Sequence, residues 1–275
     1  MGLFKATMTN GASRIFGKIA STAFPTFIQL GINKLYTSVT GVDLSAFHPH
    51  GHYPTLNALF TRELRFQRDI STDMKAIISP ADSLISAQGK IEASDALQIK
   101  GLSYSVRELL TDKIESTNID KIVAGEFVNF YLSPMDYHRY HVPMDMVVSR
   151  VVHVPGLLYP VNFKYLKKVP SLFVKNERVI LECRDVNDKI FYMILVGALN
   201  VGKMTLSFDE RIETNVDASE VQVYDYEGMF LKKGDELGMF MMGSTIVMLF
   251  ENDFVELGNK EGRSVRFGEI IANKF

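Results

Sequence analysis

Ser244 stands between Gly243 and Thr245 in the stretch MFMMGSTIVMLFE, Met239–Glu251, just ahead of the apolar run Ile246–Phe250. The run is apolar on both faces and reads as a buried strand, so Ser244 sits on a tight turn entering it. A serine hydroxyl on such a turn could attack a carbonyl, but a neutral hydroxyl is a poor nucleophile and needs a base to take its proton. Histidine suits that task because it titrates near neutrality, and an acid can fix its tautomer. His138 and His141 lie three residues apart in NFYLSPMDYHRYHVPMD, and Asp82 lies in SPADSLIS. Each also has an ordinary reading taken alone: a Gly-Ser-Thr hairpin turn, packed polar histidines, and an Asp in a turn after Ser79-Pro80-Ala81. The H-x-x-H spacing would put both rings on one face of a helix. Pro134 and Pro143 instead predict a loop after a strand at 127–132, and with no third ligand in view no metal site is expected.

Taken together these stretches resemble the phosphatidylserine decarboxylases. KKGDELGMFMMGSTIVMLFE resembles that family's self-processing site, and SPADSLIS, NFYLSPMDYHRYHVPMD, PGLLYPVN at Pro155–Asn162 and LFVKNER at Leu172–Arg178 follow the family's order from about Thr55 to the C-terminus. The resemblance implies an Asp82–His141–Ser244 triad that breaks the Gly243–Ser244 bond, and it makes His138 a second catalytic histidine close to substrate. Ser83 departs from the pattern, standing where the family often has glycine after the acid.

Carbonyl chemistry then gives the expected course. Ser244 attacks the Gly243 carbonyl and an ester forms. Loss of the Ser244 α-proton expels the Gly243 carboxylate, leaving dehydroalanine, whose imine tautomer hydrolyses to a pyruvoyl group and ammonia. The products would be a larger chain, 1–243, and a smaller one, 244–275, capped by the pyruvoyl cofactor. A pyruvoyl ketone can form a Schiff base with a substrate amine and accept the electron pair left by departing CO2, with His138 as the acid that reprotonates the carbon. Phosphatidylserine would become phosphatidylethanolamine. Two other functions are weighed beside this one: a soluble decarboxylase of a free amino acid on the same scaffold, and a non-enzymatic membrane-binding protein with a degenerate site. The intact Asp82, His138, His141 and Gly243-Ser244 set argues against the last.

The elements that must position these groups follow from pattern. After residue 76 short strands recur at short intervals, expected at 76–79, 83–87, 127–132, 146–154, 179–184, 190–197, 203–208 and 245–250, with a helix at 106–110. The expected fold class is α+β, with a mainly antiparallel, barrel- or sandwich-like catalytic body over 71–275 and a helical N-terminal segment over 1–70. The three alternating histidines of FHPHGHY, Phe47–Tyr53, read as a solvated loop.

Charge is unevenly spread. The formal net charge is −2, but residues 1–42 hold Lys5, Arg14, Lys18 and Lys34 with no acid, leaving −6 on the remainder. From Ala12 to Tyr36 the apolar residues Ile15, Phe16, Ile19, Ala20, Ala23, Phe24, Phe27 and Ile28 form a helical stripe, opposite Arg14, Lys18, Thr22, Gln29 and Asn33. Pro25 should split it into two helices at or just before Phe24. No apolar run approaches the roughly 18 residues of a membrane span, so the segment would lie on an anionic surface. A helix pair packed on the body and a mitochondrial transit peptide fit the same pattern. The expected setting is a peripheral protein on the cytoplasmic face of a bacterial membrane. Its partners would be phosphatidylserine, the membrane surface, its own two cleaved chains and a second copy as a homodimer; nucleic acid is not among them. The single cysteine, Cys183, excludes an intrachain disulfide and reads as structural within a strand.

Overall fold

The structure, a computed structural model, describes residues 17–92, 96–99, 101–161, 163–166, 168–199, 203–212, 214, 220–241 and 244–275; for Ser244 the backbone alone is described. Gly243, and with it the Gly243–Ser244 bond, lies outside the described residues, as do Arg14, Ile15 and Phe16 of the N-terminal stripe.

The body is antiparallel β with few helices, the α+β class expected. Its strands, in chain order, are β1 (Ala76–Ile78), β2 (Ser83–Lys90), β3 (Ala96–Ile99), β4 (Leu102–Ser105), β5 (Glu126–Leu132), β6 (Arg139–His141), β7 (Met146–Val154), β8 (Arg178–Arg184), β9 (Ile190–Val196), β10 (Met204–Leu206), β11 (Gln222–Leu231), β12 (Glu236–Phe240), β13 (Ser244–Phe250), β14 (Val255–Leu257), β15 (Ser264–Val265) and β16 (Ile270–Lys274). Eight of them form one sheet in the order β11-β7-β8-β9-β13-β5-β2-β15. Among the described residues this sheet stays open, ending at β11 and β15, so it makes no closed barrel. The reason β13 lies between β9 and β5 is visible in its sequence. Ile246 to Phe250 are all fully buried, as are all seven residues of β9, and only a strand covered on both faces tolerates such an unbroken apolar run. The smaller sheets are β10-β12-β6, β1-β16-β14 and β3-β4.

The stretch 133–143, expected as a loop, is instead interrupted by β6, which pairs with β12 through Tyr140↔Gly238 and His141↔Glu236. Partner strand and not local propensity makes it a strand. At Gly238 the approach is so close that a Cβ would meet the Thr205 carbonyl oxygen at 1.9 Å, so only glycine fits between β10 and β6.

The N-terminal segment splits where expected. Residues 17–21 are helical, 22–25 are not, and α1 (Thr26–Thr40) starts directly after Pro25. A short α2 (Leu56–Phe60) follows, capped by the Thr55 hydroxyl accepting the Ala58 N–H. The faces of α1 are inverted relative to a core helix: Gln29, Asn33 and Thr37 are its buried residues. Asn33 Nδ2 donates to the carbonyls of His50 and Tyr53, both at 2.9 Å, while its Oδ1 accepts from Gln29 Nε2 at 2.8 Å. Phe27, Leu35 and Val39 point outward, 77%, 65% and 76% exposed.

Candidate active site

Ser244 enters β13 with a partner on one side and a strand end on the other. It pairs with Leu132 at the end of β5, while its neighbour Thr245 pairs with both Tyr131 and Val196, the last residue of β9. Thr245 is buried and its Oγ1 donates to the Phe130 carbonyl at 2.7 Å, fixing the start of the strand from within the sheet. Two connections leave this point together. Residues 133–138 carry the chain from β5 to β6, and 241–243 carry it from β12 to β13; β6 and β12 are themselves paired. At their far end the Phe240 N–H donates to the His138 carbonyl at 2.9 Å, four residues before Ser244. Four residues span at most about 14 Å, so the fold ties His138 to the neighbourhood of Ser244.

His138 is fully buried, its ring 3.9 Å from that of Phe60 on α2. Nδ1 lies 2.9 Å from the Asp136 carbonyl, which can only accept, so Nδ1 carries the proton and Nε2 the lone pair. Nε2 has no partner among the described residues. Burial, outweighing the Asp136 bond, pushes the pKa down to about 3, and the Arg62 charge adds to this. Arg62, itself buried, holds the connection in place by donating to the carbonyls of Met135 and Asp136 at 2.8 and 3.0 Å.

His141 has the same tautomer for a similar reason. Its Nδ1 faces the Gly234 carbonyl at 3.0 Å and its Nε2 accepts from the Tyr137 hydroxyl at 3.0 Å. Phe267 stacks on the imidazole, ring centres 3.6 Å apart and 12° from parallel. Burial lowers its pKa to about 4, against the Gly234 bond and the Asp82 charge, which both raise it. Asp82 joins the group through other atoms. Its carboxylate is gripped by both terminal nitrogens of Arg68 and accepts the Phe267 N–H at 2.8 Å. Phe267 thus touches the acid with its amide and the histidine with its ring. A cavity of about 800 Å³ opens onto this group, bounded by Arg68, Tyr137, Arg139, His141, Lys233 and Phe267.

The fold therefore gathers Asp82 and His141 in one cluster and links His138 to the entry of β13. Sequence reading missed Arg68, Tyr137, Phe267 and the Gly234 carbonyl. Tyr137 lies inside the quoted NFYLSPMDYHRYHVPMD stretch, whereas Arg68 and Phe267 come from segments remote in sequence and carry no local signal. Of the alternating histidines, His50 and His52 lie in a short 3-10 turn, His50–His52, with His50 Nε2 2.8 Å from the Thr37 hydroxyl and the rings of His48 and His52 stacked at 4.0 Å. Cys183 is buried in β8, with its thiol pKa pushed up by burial.

Known proteins match the chain over nearly its whole length. The family model for phosphatidylserine decarboxylase matches residues 56–273. A protein of Helicobacter pylori (strain Shi470) named phosphatidylserine decarboxylase proenzyme is 45% identical over 267 residues, covering 96% of this chain and 97% of that protein. One of the same name from Campylobacter jejuni is 43% identical over 268 residues, covering 95% and 98%. Another, from Nitrosospira multiformis, is 39% identical over 228 residues, covering 81% and 78%.

Proposed function

We propose that this chain, which belongs to the phosphatidylserine decarboxylase family, is a proenzyme that cleaves itself at Gly243–Ser244, converts Ser244 to a pyruvoyl group and decarboxylates phosphatidylserine to phosphatidylethanolamine. The observation that carries the reading is Ser244 at the first position of β13, a strand held on both sides by β5 and β9. A residue so placed can lose its upstream peptide bond and keep its position, which is what a cofactor made from the chain requires. The pyruvoyl ketone supplies an electron sink for the pair released when the substrate's carboxylate departs.

The chain's own residues supply the proton steps. At neutral pH His141 is uncharged and its Nε2 lone pair accepts the Tyr137 hydroxyl, so that hydroxyl is the route by which the Ser244 proton would reach the base. Asp82 acts on that base through Phe267 and Arg68: the carboxylate fixes the amide of the residue whose ring supports the imidazole. His138 is assigned to turnover. Its buried Nε2, unpartnered among the described residues, can relay a proton from solvent to the substrate carbon.

A lipid substrate also accounts for the outward apolar face. Phe27, Leu35 and Val39 of α1, with Ile19 before it, offer a hydrophobic strip beside an acid-free N-terminal segment, the features of a helix lying in a membrane interface. Among the described residues no helix is long and apolar enough to cross a membrane. A free amino acid as substrate would give no reason for the strip.

The test is denaturing mass spectrometry of the freshly purified protein together with a phosphatidylserine assay. Fragments 1–243 and 244–275 are expected, the second lighter by one ammonia than a serine-ended peptide. Ser244→Ala, His141→Ala and Asp82→Asn should leave one uncleaved, inactive chain. An active protein consisting of a single intact chain overturns the proposal.

A further inference from the structure

Two stretches singled out in the sequence, PGLLYPVN and LFVKNER, play no part in the proton steps, yet the fold bolts them together beside Ser244. Their junction is Asn176, which is fully buried. Its Oδ1 accepts the Tyr159 N–H at 3.0 Å, and its Nδ2 donates to the Tyr159 carbonyl at 2.9 Å and to the Gly197 carbonyl at 2.8 Å. One amide side chain thus fills its acceptor and both donors on two separate segments. Main-chain bonds extend the clamp: Leu157 N–H to the Lys175 carbonyl, Glu177 N–H to the Leu157 carbonyl, and Gly197 N–H to the Glu177 carbonyl, each 2.9 Å. Gly156 lies so close that a Cβ there would meet the Lys175 oxygen and the Glu177 nitrogen at 2.7 and 2.6 Å. The neighbours of Asn176 anchor it in turn, with Glu177 paired to the buried His153 at 2.9 Å and Arg178 donating to the carbonyls of Leu109 and Val174.

The location gives the clamp its significance. Gly197 follows Val196, and Val196 pairs with Thr245, so the chain leaves β9 where it enters β13 at Ser244. Leu158 rests on Gly197, its Cδ2 3.2 Å from where a Cβ would be. The 157–159 segment and Gly197 therefore stand as one wall alongside residue 244.

We propose that Asn176 is a positioning residue of this enzyme: by locking the 157–159 segment onto Gly197 it fixes the wall beside residue 244 against which the substrate's headgroup is oriented. This rests on the reading of Ser244 as the reactive residue. A small misplacement of reacting groups is costly for the chemical step and weak in its effect on binding.

Asn176→Ala and the same-shaped Asn176→Asp, which puts an acceptor where both carbonyls need a donor, would be purified as full-length chains beside the unaltered protein and Ile180→Val. Ile180 is fully buried in β8 and serves as a control for lost stability alone. Both Asn176 variants should cleave, then show kcat for phosphatidylserine lowered on the order of 10²-fold with KM changed less than about threefold. Ile180→Val should keep kcat whatever its melting temperature. A folded Asn176 variant that stays uncleaved overturns the proposal in this form, since the clamp would then act on the bond at 244 and not on the substrate. Should neither Asn176 variant fold, Leu158→Ala, which removes only the side chain resting on Gly197, takes their place with the same expectation. Wild-type kcat in a folded Asn176 variant, or in Leu158→Ala when it stands in, or losses equal to those of Ile180→Val, overturn the positioning role. An unaltered protein that neither cleaves nor decarboxylates would instead overturn the reading of Ser244.

Discussion

Both candidate site histidines are held neutral by burial, which would couple the proposed chemistry to stability. Their folded-state pKa values, about 3 for His138 and about 4 for His141, lie below the ordinary 6.5. Between those limits the unfolded chain binds protons that the folded chain does not, so stability is full above about pH 6.5 and is lost as the pH falls toward 4. Denaturant midpoints measured from pH 7 to pH 4 should fall, and His138→Leu should flatten the slope; an unchanged slope would show that the ring is not buried uncharged. The division of labour between the rings is separately testable. His138→Ala should still yield fragments 1–243 and 244–275 but decarboxylate about 10²–10⁴-fold more slowly, the usual cost of a missing general acid. Hydride reduction with substrate present should still tether lipid to fragment 244–275. A His138→Ala chain that is uncleaved, or cleaved and fully active, removes the residue from turnover.

Among the elements, α1 shows how far pattern reading reaches. Its helical period and its break at Pro25 were legible because they depend on local spacing and on proline's missing N–H. Which face would be buried was not, since Gln29 and Asn33 point inward to satisfy the carbonyls of His50 and Tyr53, partners distant in sequence. The strand at 146–154 and the helix at 106–110 were readable to the residue, being continuous in their own signal. β6, β12 and β16 were not, because each is short and becomes a strand through its partner. The same limit hid Arg68 and Phe267 from the site while Asp82, His138 and His141 lay in recognisable stretches. The inverted α1 makes its own prediction. Phe27→Glu with Leu35→Glu, both changes on exposed positions, should leave the melting temperature within about 1 °C of the parent's, as exposed substitutions usually do. Co-sedimentation with vesicles containing anionic lipid should fall sharply. Undiminished sedimentation would place the membrane contact elsewhere.

Cleavage as proposed would require the whole molecule to survive the loss of the backbone bond that precedes β13. Fragment 244–275 contributes β13 to the interior of the large sheet, where it pairs along its length with β5 and β9. It also contributes β16, which pairs with β1, and β15, which pairs with β2. Ile246 to Phe250 are fully buried, and removing such side chains from a core costs roughly 2–5 kcal/mol each, so withdrawing the fragment would expose surface far exceeding the stability of a typical domain. Lys274 reinforces the attachment at the far end, its ammonium 3.1 Å from the fully buried carboxylate of Asp185 in the larger fragment. The cleaved protein should therefore remain one particle. Native mass spectrometry should give the sum of the two fragments, size-exclusion chromatography without denaturant should never resolve them, and thermal unfolding should release both in a single transition. Recovery of a folded 1–243 chain free of its partner would show that β13 is not what holds the sheet together, and would undercut the argument that Ser244 keeps its place once the bond to Gly243 is gone.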